Sequence, residues 1–449
     1  MVVCRCMLIT GVVLFAYCFA LAGSTMPWVG VAEAACLVAL VAKAGRKRLT
    51  TLGSARWADS DDLYYAGMLA ARSGLILGRL MDRQRRLVPA LGTLVNLRID
   101  ATTACRRFLD SLQKQGNAIV RLNAVHTAVF APTGVGKGVS LVVPFLQTCR
   151  DSCVVLDFNG QLARLTAGSR REMGHEVRIL DPFKQVTGTP DRVNVIDGIE
   201  KDSLLAIDEC RDYANALVIR TGEEKDPHWV DSAETWISAI LAVVAHFGER
   251  GDRSLQTVRT LLSNPAKMEA VIRLMCESPD VWSGMLTRMG QQLTRFKENE
   301  LASCMTTVNR FLTFLDTIAV AENTTDSTFN PADLTKRKMT VYLVLPPEHV
   351  RAQQALLRLW IGSMLRAVVK GGVQEKNLVH FVLDEAASLG HMSVIDDAVD
   401  KYRAYGVRLQ FFSQLANSRS ASPTARSKRC LATAARSISG LTTRIQRST

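Results

Sequence analysis

The chain reads as an α/β fold: a parallel sheet with an all-helical segment set into it, preceded by an apolar N-terminus. Three observations predict this. From about residue 120 onward, short β-branched runs alternate with longer helical spacings. The stretch 202–330 carries helical spacing alone. A glycine-rich turn directly follows the first β-branched run, where an α/β nucleotide site would place it.

The N-terminus comes first. Met7 to Gly23 is a 17-residue run with Thr10 as its one clearly polar member, and Met26 to Ala42 is a second run of 17 broken by Glu33. Each is just long enough to cross a bilayer as a helix. Arg5 precedes the first run, and Lys43, Arg46, Lys47 and Arg48 follow the second, so the positive-inside bias puts both ends in the cytoplasm. A charged Glu33 in mid-span would cost about 2.5–3.5 kcal/mol. The alternative is a signal peptide cleaved near Ala32-Glu33-Ala34, against which the apolar stretch is too long. Residues 1–48 are therefore expected to form a membrane anchor of two short helices. The basic, mixed-pattern segment that follows opens the soluble part.

Strands are predicted at Ala124–Phe130, Ser152–Phe158 and Glu176–Leu180, and then at Met339–Leu345, Leu378–Asp384 and Val407–Phe412. Between the two groups the apolar spacing is helical. Examples are Trp236, Ile237, Ile240, Leu241, Val244 and Phe247, then Met285, Met289, Leu293 and Phe296, then Met305, Val308, Phe311, Leu312 and Leu315. These stripes read as core faces. The expected organisation is a nucleotide-binding domain in two parts, 49–201 and 331–414, around an inserted all-α domain at 202–330.

The chemistry concentrates in two places. Ala131-Pro-Thr-Gly-Val-Gly-Lys-Gly138 follows the strand ending at Phe130 and opens a helix through Val139, Leu141, Val142 and Phe145. Strand, glycine loop and helix form the context of a P-loop, in which backbone N–H groups and a helix N-terminus converge on phosphate oxygens. Thr133, Gly134, Val135, Gly136, Lys137, Gly138 and Val139 are the candidate ATP-binding residues, with Lys137 on the β- and γ-phosphates. Ala131 stands where the general pattern has Gly, and Gly138 where Ser or Thr holds Mg2+. The second place is Leu378-Val-His-Phe-Val-Leu-Asp-Glu385, an apolar strand ending in two acids. Asp384 is the candidate Mg2+ ligand and Glu385 the candidate water-polarising base. A plain helix N-cap carboxylate is the competing reading. Gln414, at the next strand end, is placed as a γ-phosphate sensor or a turn residue.

Composition adds less. The formal charge of +13 favours anionic partners. Seven of those charges lie in Leu415–Thr449, which has no acidic residue, so the body carries about +6. The 11 cysteines include no Cys-x-x-Cys pair, and the seven histidines show no metal-site spacing. They read as reduced, mostly buried thiols and ordinary histidines.

These residues closely resemble the TraG-type coupling proteins of type IV secretion and bacterial conjugation, from about residue 50 to 415. The match is carried by Gly53-Ser-Ala-Arg-Trp57, by Ala131–Gly138, and by Leu156-Asp-Phe-Asn-Gly-Gln161. It continues through Leu180-Asp-Pro-Phe183 and Thr340-Val-Tyr-Leu-Val-Leu-Pro346. The most specific block is Leu383-Asp-Glu-Ala-Ala-Ser-Leu-Gly390 running to Tyr405-Gly-Val-Arg408. In that family Gly after the P-loop Lys is usual, whereas Asn159-Gly160-Gln161 departs from its common Lys-Gly-Glu. The resemblance implies a RecA-like P-loop NTPase core with a helical insertion, a membrane anchor and a homo-hexameric ring. It further implies delivery of relaxase-bound single-stranded DNA, or of protein substrates, to inner-membrane channel proteins with ATP and Mg2+. Family members continue with further strands beyond Gln414. Leu415–Thr449 is accordingly expected to be non-native, after a frameshift or premature end; the rival is a basic arm that grips DNA phosphates. Three functions stand as expectations: an ATP-driven translocase, a membrane-bound docking protein without turnover, and an inactive remnant.

Overall fold

The computed structural model describes residues 60–69, 73–80, 119–132, 134–220 and 226–414, together with Ala71, Thr102, Thr103 and Arg106. The expected membrane spans, Thr133 and the tail from Leu415 lie outside the described residues, as does the side chain of Gln414. The chain divides into two units, 1–67 with 82–114 and 68–81 with 115–449. Of the first, helix α1 (Ser60–Tyr65) is the main described element. All of the described strands belong to the second.

A six-stranded sheet organises this second unit. Its strands are β3 (Thr127–Ala131), β4 (Ser152–Asp157), β5 (Glu176–Leu180), β6 (Met339–Val344), β7 (Val379–Asp384) and β8 (Val407–Gln414). They lie in the order β3-β8-β7-β4-β6-β5, every pair parallel. A separate antiparallel pair, β1 (Leu75–Arg79) and β2 (Ile119–Leu122), carries a bulge between Ile76 and Gly78. Sequence periodicity did not anticipate that pair.

Strand alternation explains the layering, because successive side chains face opposite sides of a sheet. On β4, Cys153 and Val155 join Tyr342, Val344, Val382 and Phe412 in one apolar cluster. That cluster is covered by α2 (Val143–Thr148) and α3 (Gln161–Glu172), through Phe145, Leu146, Leu162 and Ala163. Val154 and Leu156 face the other way and join Val341, Leu343, Phe381 and Leu383 in a second, larger cluster. A sheet covered on both faces needs strands that are apolar at consecutive positions, which is how β4, β6 and β7 read.

Among the described residues, seven α-helices follow β5 and precede the short α11 (Asp333–Lys336) and β6. They are α4 (Ala206–Leu217), α5 (His228–Phe247), α6 (Leu255–Ser263), α7 (Pro265–Cys276), α8 (Met285–Leu293), α9 (Glu298–Leu312) and α10 (Ile318–Thr324). Local signals mark their starts. The Ser254 hydroxyl accepts from Thr257 N–H to cap α6, and Asn264 accepts from Lys267 N–H to cap α7, whose first residue is Pro265. Their apolar faces share the larger cluster with α12 (Gln354–Lys370). Among the described residues α5 alone is long and apolar enough to cross a membrane, yet it is mostly buried in this core. Two members of the expected stripes are exposed rather than core, Phe247 at the end of α5 and Met285 at the start of α8. Helix ends project past the packed face. Met285 also follows a break at Trp282, Ser283 and Gly284, all with positive φ.

Candidate nucleotide site

The loop between β3 and α2 is shaped by its glycines. Gly134 and Gly136 have φ of 81° and 82°, a region that glycine enters without a Cβ penalty. The helix then begins with a π turn at Gly138–Val142, closed by Val143 N–H donating to the Gly138 carbonyl. Pro144 explains the wide turn, since it has no N–H to offer the regular ladder. Val142 and Phe145 anchor this segment in the core, while Val135 and Val139 stand exposed.

Lys137 folds over the strand ends. Its Nζ donates to the Ala131 carbonyl at 3.0 Å and to the Ser413 carbonyl at 3.2 Å, so one ammonium joins the ends of β3 and β8. Across β8, the Glu385 N–H donates to the Phe412 carbonyl at 2.9 Å and ties the end of β7 to the same strand. Only β8 separates β3 from β7, which sets them about 10 Å apart at ordinary strand spacing. Lys137, Asp384 and Glu385 therefore share the C-terminal end of the sheet. The Gln414 backbone pairs with Ala131 at the same end.

Electrostatics link these groups. Burial, and then repulsion from Glu385, push the Asp384 carboxyl above the usual carboxylate range, while Lys137 pulls it back. Asp157, at the end of neighbouring β4, adds a smaller upward push. Asp157 itself is engaged as a cap: it accepts the Ala163 N–H at 2.8 Å, with further amides of the α3 start around it. Glu385 holds φ 54°, ψ 43°, a left-handed conformation uncommon for a residue with a Cβ and typical of functional sites.

Sequence reasoning missed the supports of this strained turn. The Gln354 amide donates to the Ser388 carbonyl at 2.6 Å. The buried Arg358 guanidinium donates to the carbonyls of Leu389, at 3.2 Å, and His391, at 2.6 Å. Burial lowers the Arg358 pKa to about 10. An arginine inside the apolar run of a helix, with a glutamine four residues before it, was the available signal.

The donor set suits a magnesium triphosphate: an ammonium, a glycine turn opening a helix, and a carboxylate one strand away. A Cβ built on Gly134 or Gly138 would meet nothing within 4 Å, so the cradle stands open.

Residues 56–426 match the model of the family described as Type IV secretory system Conjugative DNA transfer. The chain belongs to this family. The match runs past Gln414 by twelve residues. Among family relatives, the type IV secretion system-coupling protein VirD4 of Bartonella quintana (strain Toulouse) is 28% identical over 299 residues, 65% of this chain and 46% of that protein. The conjugal transfer protein TraG of Escherichia coli is 24% identical over 394 residues, 81% of this chain and 57% of that one. The chain thus spans about half the length of the curated relatives it matches. A solved structure of the bacterial conjugative coupling protein TrwB, lacking its N-terminus and unbound, has the same fold. It aligns at a TM-score of 0.50 with 18% identity, over 66% of this chain and 64% of that one. TrwB in complex with ADP and Mg2+ aligns at a TM-score of 0.49 with 16% identity, over 66% of each chain.

Proposed function

We propose that the chain is an ATP-dependent coupling protein that delivers relaxase-bound single-stranded DNA, or protein substrates, to a type IV secretion channel during conjugative transfer. One observation carries the reading: Lys137, Asp384 and Glu385 converge at the C-terminal ends of β3 and β7 on either side of β8. Open α/β sheets bind their ligands at that end.

Bound ATP with Mg2+ supplies a γ-phosphoryl group for transfer to water. Gly134, Val135, Gly136, Lys137, Gly138 and Val139, with Thr133, form the phosphate cradle. Lys137 would neutralise the β- and γ-phosphates, and Asp384 would hold Mg2+. Glu385 orients a water and takes its proton, and Gln414 senses the γ-phosphate. Because burial and Glu385 raise the Asp384 pKa, Mg2+ uptake should weaken on acidification sooner than at an exposed aspartate.

Family membership supports the cargo, and the net charge of +13 is in keeping with a nucleic-acid partner. The two apolar runs at Met7–Gly23 and Met26–Ala42 would anchor the chain in the bacterial inner membrane and leave the sheet in the cytoplasm. Assembly as a homo-hexamer, with 202–330 acting as an inserted all-α domain, completes the proposal. The test is ATP hydrolysis by the full chain in detergent. Turnover stimulated by single-stranded DNA and abolished in Lys137→Ala supports a motor. Wild-type protein as inactive as the variant assigns the chain to nucleotide-regulated docking without turnover.

A further inference from the structure

The opposite end of the sheet holds a second cluster that the nucleotide site does not use. Cys149 follows α2, Asp151 precedes β4, and His380 lies on β7 beside β4, in register with Cys153. One ligand atom from each of Cys149, Asp151 and His380 falls within 4.8 Å of the other two. Asp151 Oδ2 lies 3.2 Å from His380 Nε2 and 4.0 Å from Cys149 Sγ. Around a tetrahedral zinc ion the corresponding separations would be about 3.3 Å and about 3.6 Å, from Zn–N/O bonds near 2.05 Å and Zn–S bonds near 2.3 Å. Movements of a few tenths of an ångström would close these two differences, and Cys149 and His380 lie within 4.8 Å of each other.

Two independent features prepare the cluster. The first is its frame. Arg170 is fully buried and donates to the carbonyls of Leu146, Cys149 and Asp151, so the loop that presents two of the three groups is fixed from behind. The second is Gln410 on β8, whose Nε2 sits 3.3 Å from His380 Nδ1 while its Oε1 is buried without a partner. Turning the amide over gives Oε1 an Nδ1–H from His380 and moves the amide N–H2 to the place Oε1 held; oxygen and nitrogen of an amide are assigned by such networks. With Nδ1–H given to Gln410, an incoming metal ion would displace the Nε2 proton that Asp151 accepts here and take that lone pair, the second-sphere arrangement that orients metal-bound histidines.

We infer that Cys149, Asp151 and His380 form a zinc site at the N-terminal edge of the sheet, with water as the fourth ligand. Thiolate, imidazole and carboxylate together select zinc over magnesium or calcium. A thiolate and a carboxylate cancel the charge of Zn2+, so the loaded cluster is neutral, as a largely buried group must be. Cys149 and His380 are buried, while the Asp151 side chain keeps 26% of its surface exposed and gives the ion an entry. The ion cross-links the α2–β4 connection to β7. Histidine and cysteine spacing along the chain concealed the site, because its ligands come from 149, 151 and 380.

The experiment is titration of the reduced, metal-free full chain in detergent with Co2+, followed by displacement with Zn2+. A thiolate-to-cobalt charge-transfer band saturating at one equivalent and removed by Zn2+ is expected. It should vanish in Cys149→Ser and survive in Lys137→Ala, which disables the other end of the sheet. Asp151→Asn, at a partly exposed position that tolerates the change, should weaken Zn2+ at least tenfold while the fold, read by circular dichroism, is unchanged. Absence of the band in folded wild-type protein overturns the proposal. So does a band that persists in Cys149→Ser, or Zn2+ affinity unaltered in Asp151→Asn.

Discussion

The two ends of the parallel sheet are built on opposite plans. At the C-terminal end the chain turns through glycines and a left-handed Glu385, and Lys137 is held by main-chain carbonyls near the acid pair. At the N-terminal end polar side chains are buried and bonded: Arg170 meets three carbonyls, Thr340 and Cys153, with His175 and His380 alongside. The first end keeps charge accessible and the backbone open. The second ties α2 and α3 to the strands. Both ends are carried by the same six strands.

The largest expected effect breaks the closed end. Arg170→Met leaves several buried acceptors unpaired, and such losses come to about 3–5 kcal/mol. Urea unfolding should show a drop of that order. A loss below about 1 kcal/mol would mean that the network is incidental. Next comes the open end: Glu385→Gln should reduce ATP turnover by about 100-fold, the low end for losing a general base, with nucleotide binding retained. Loss of binding and turnover together would instead give Glu385 a structural role in the turn.

How much of this was legible beforehand depends on the physics of each element. The strand read at Glu176–Leu180 coincides with β5, and those read at Ser152, Met339 and Val407 start where β4, β6 and β8 start. Strands buried on both faces declare themselves by uninterrupted β-branched and aromatic runs. The first strand begins at Thr127, later than the Ala124 expected, and its residues are all only partly buried, so burial marks its boundary weakly. The positions of Lys137, Asp384 and Glu385 at strand ends were readable too, since glycine spacing and a strand ending in acids are contiguous signals. Strand order is not contiguous. That β3 pairs with β8, that Ser413 receives Lys137, and that Cys149 meets His380 all depend on contacts across more than two hundred residues.

A smaller effect distinguishes the ends by pH. Burial and then Arg408 lower the His126 pKa to about 4, and burial and then Arg170 lower that of His175 to about 4. Both are neutral in the fold, and His126 Nδ1 accepts the Leu409 N–H at 3.1 Å. The unfolded chain binds more protons between the ordinary value of 6.5 and about 4. Their contribution is therefore complete above 6.5 and is lost as pH falls toward 4, on the order of 1–3 kcal/mol. Thermal unfolding of His126→Gln should lose part of this acid sensitivity. An unchanged profile would show that the junction of β3 and β8 does not depend on a neutral ring. The smallest effect is Gly136→Ala, where φ of 82° and a Ser140 hydroxyl 3.4 Å from the new Cβ should cost about 1 kcal/mol. Nucleotide affinity should fall with it, since the loop must relax out of the cradle.

We propose that the glycine loop and the acid pair serve one magnesium–nucleotide site. Its most direct test is equilibrium binding of a fluorescent ATP analogue to the full chain, with and without Mg2+, in wild type, Lys137→Ala and Asp384→Asn. Wild type should bind more tightly with Mg2+, Lys137→Ala should lose affinity under both conditions, and Asp384→Asn should lose only the gain that Mg2+ confers. An Asp384→Asn protein that keeps the full magnesium enhancement would contradict the account.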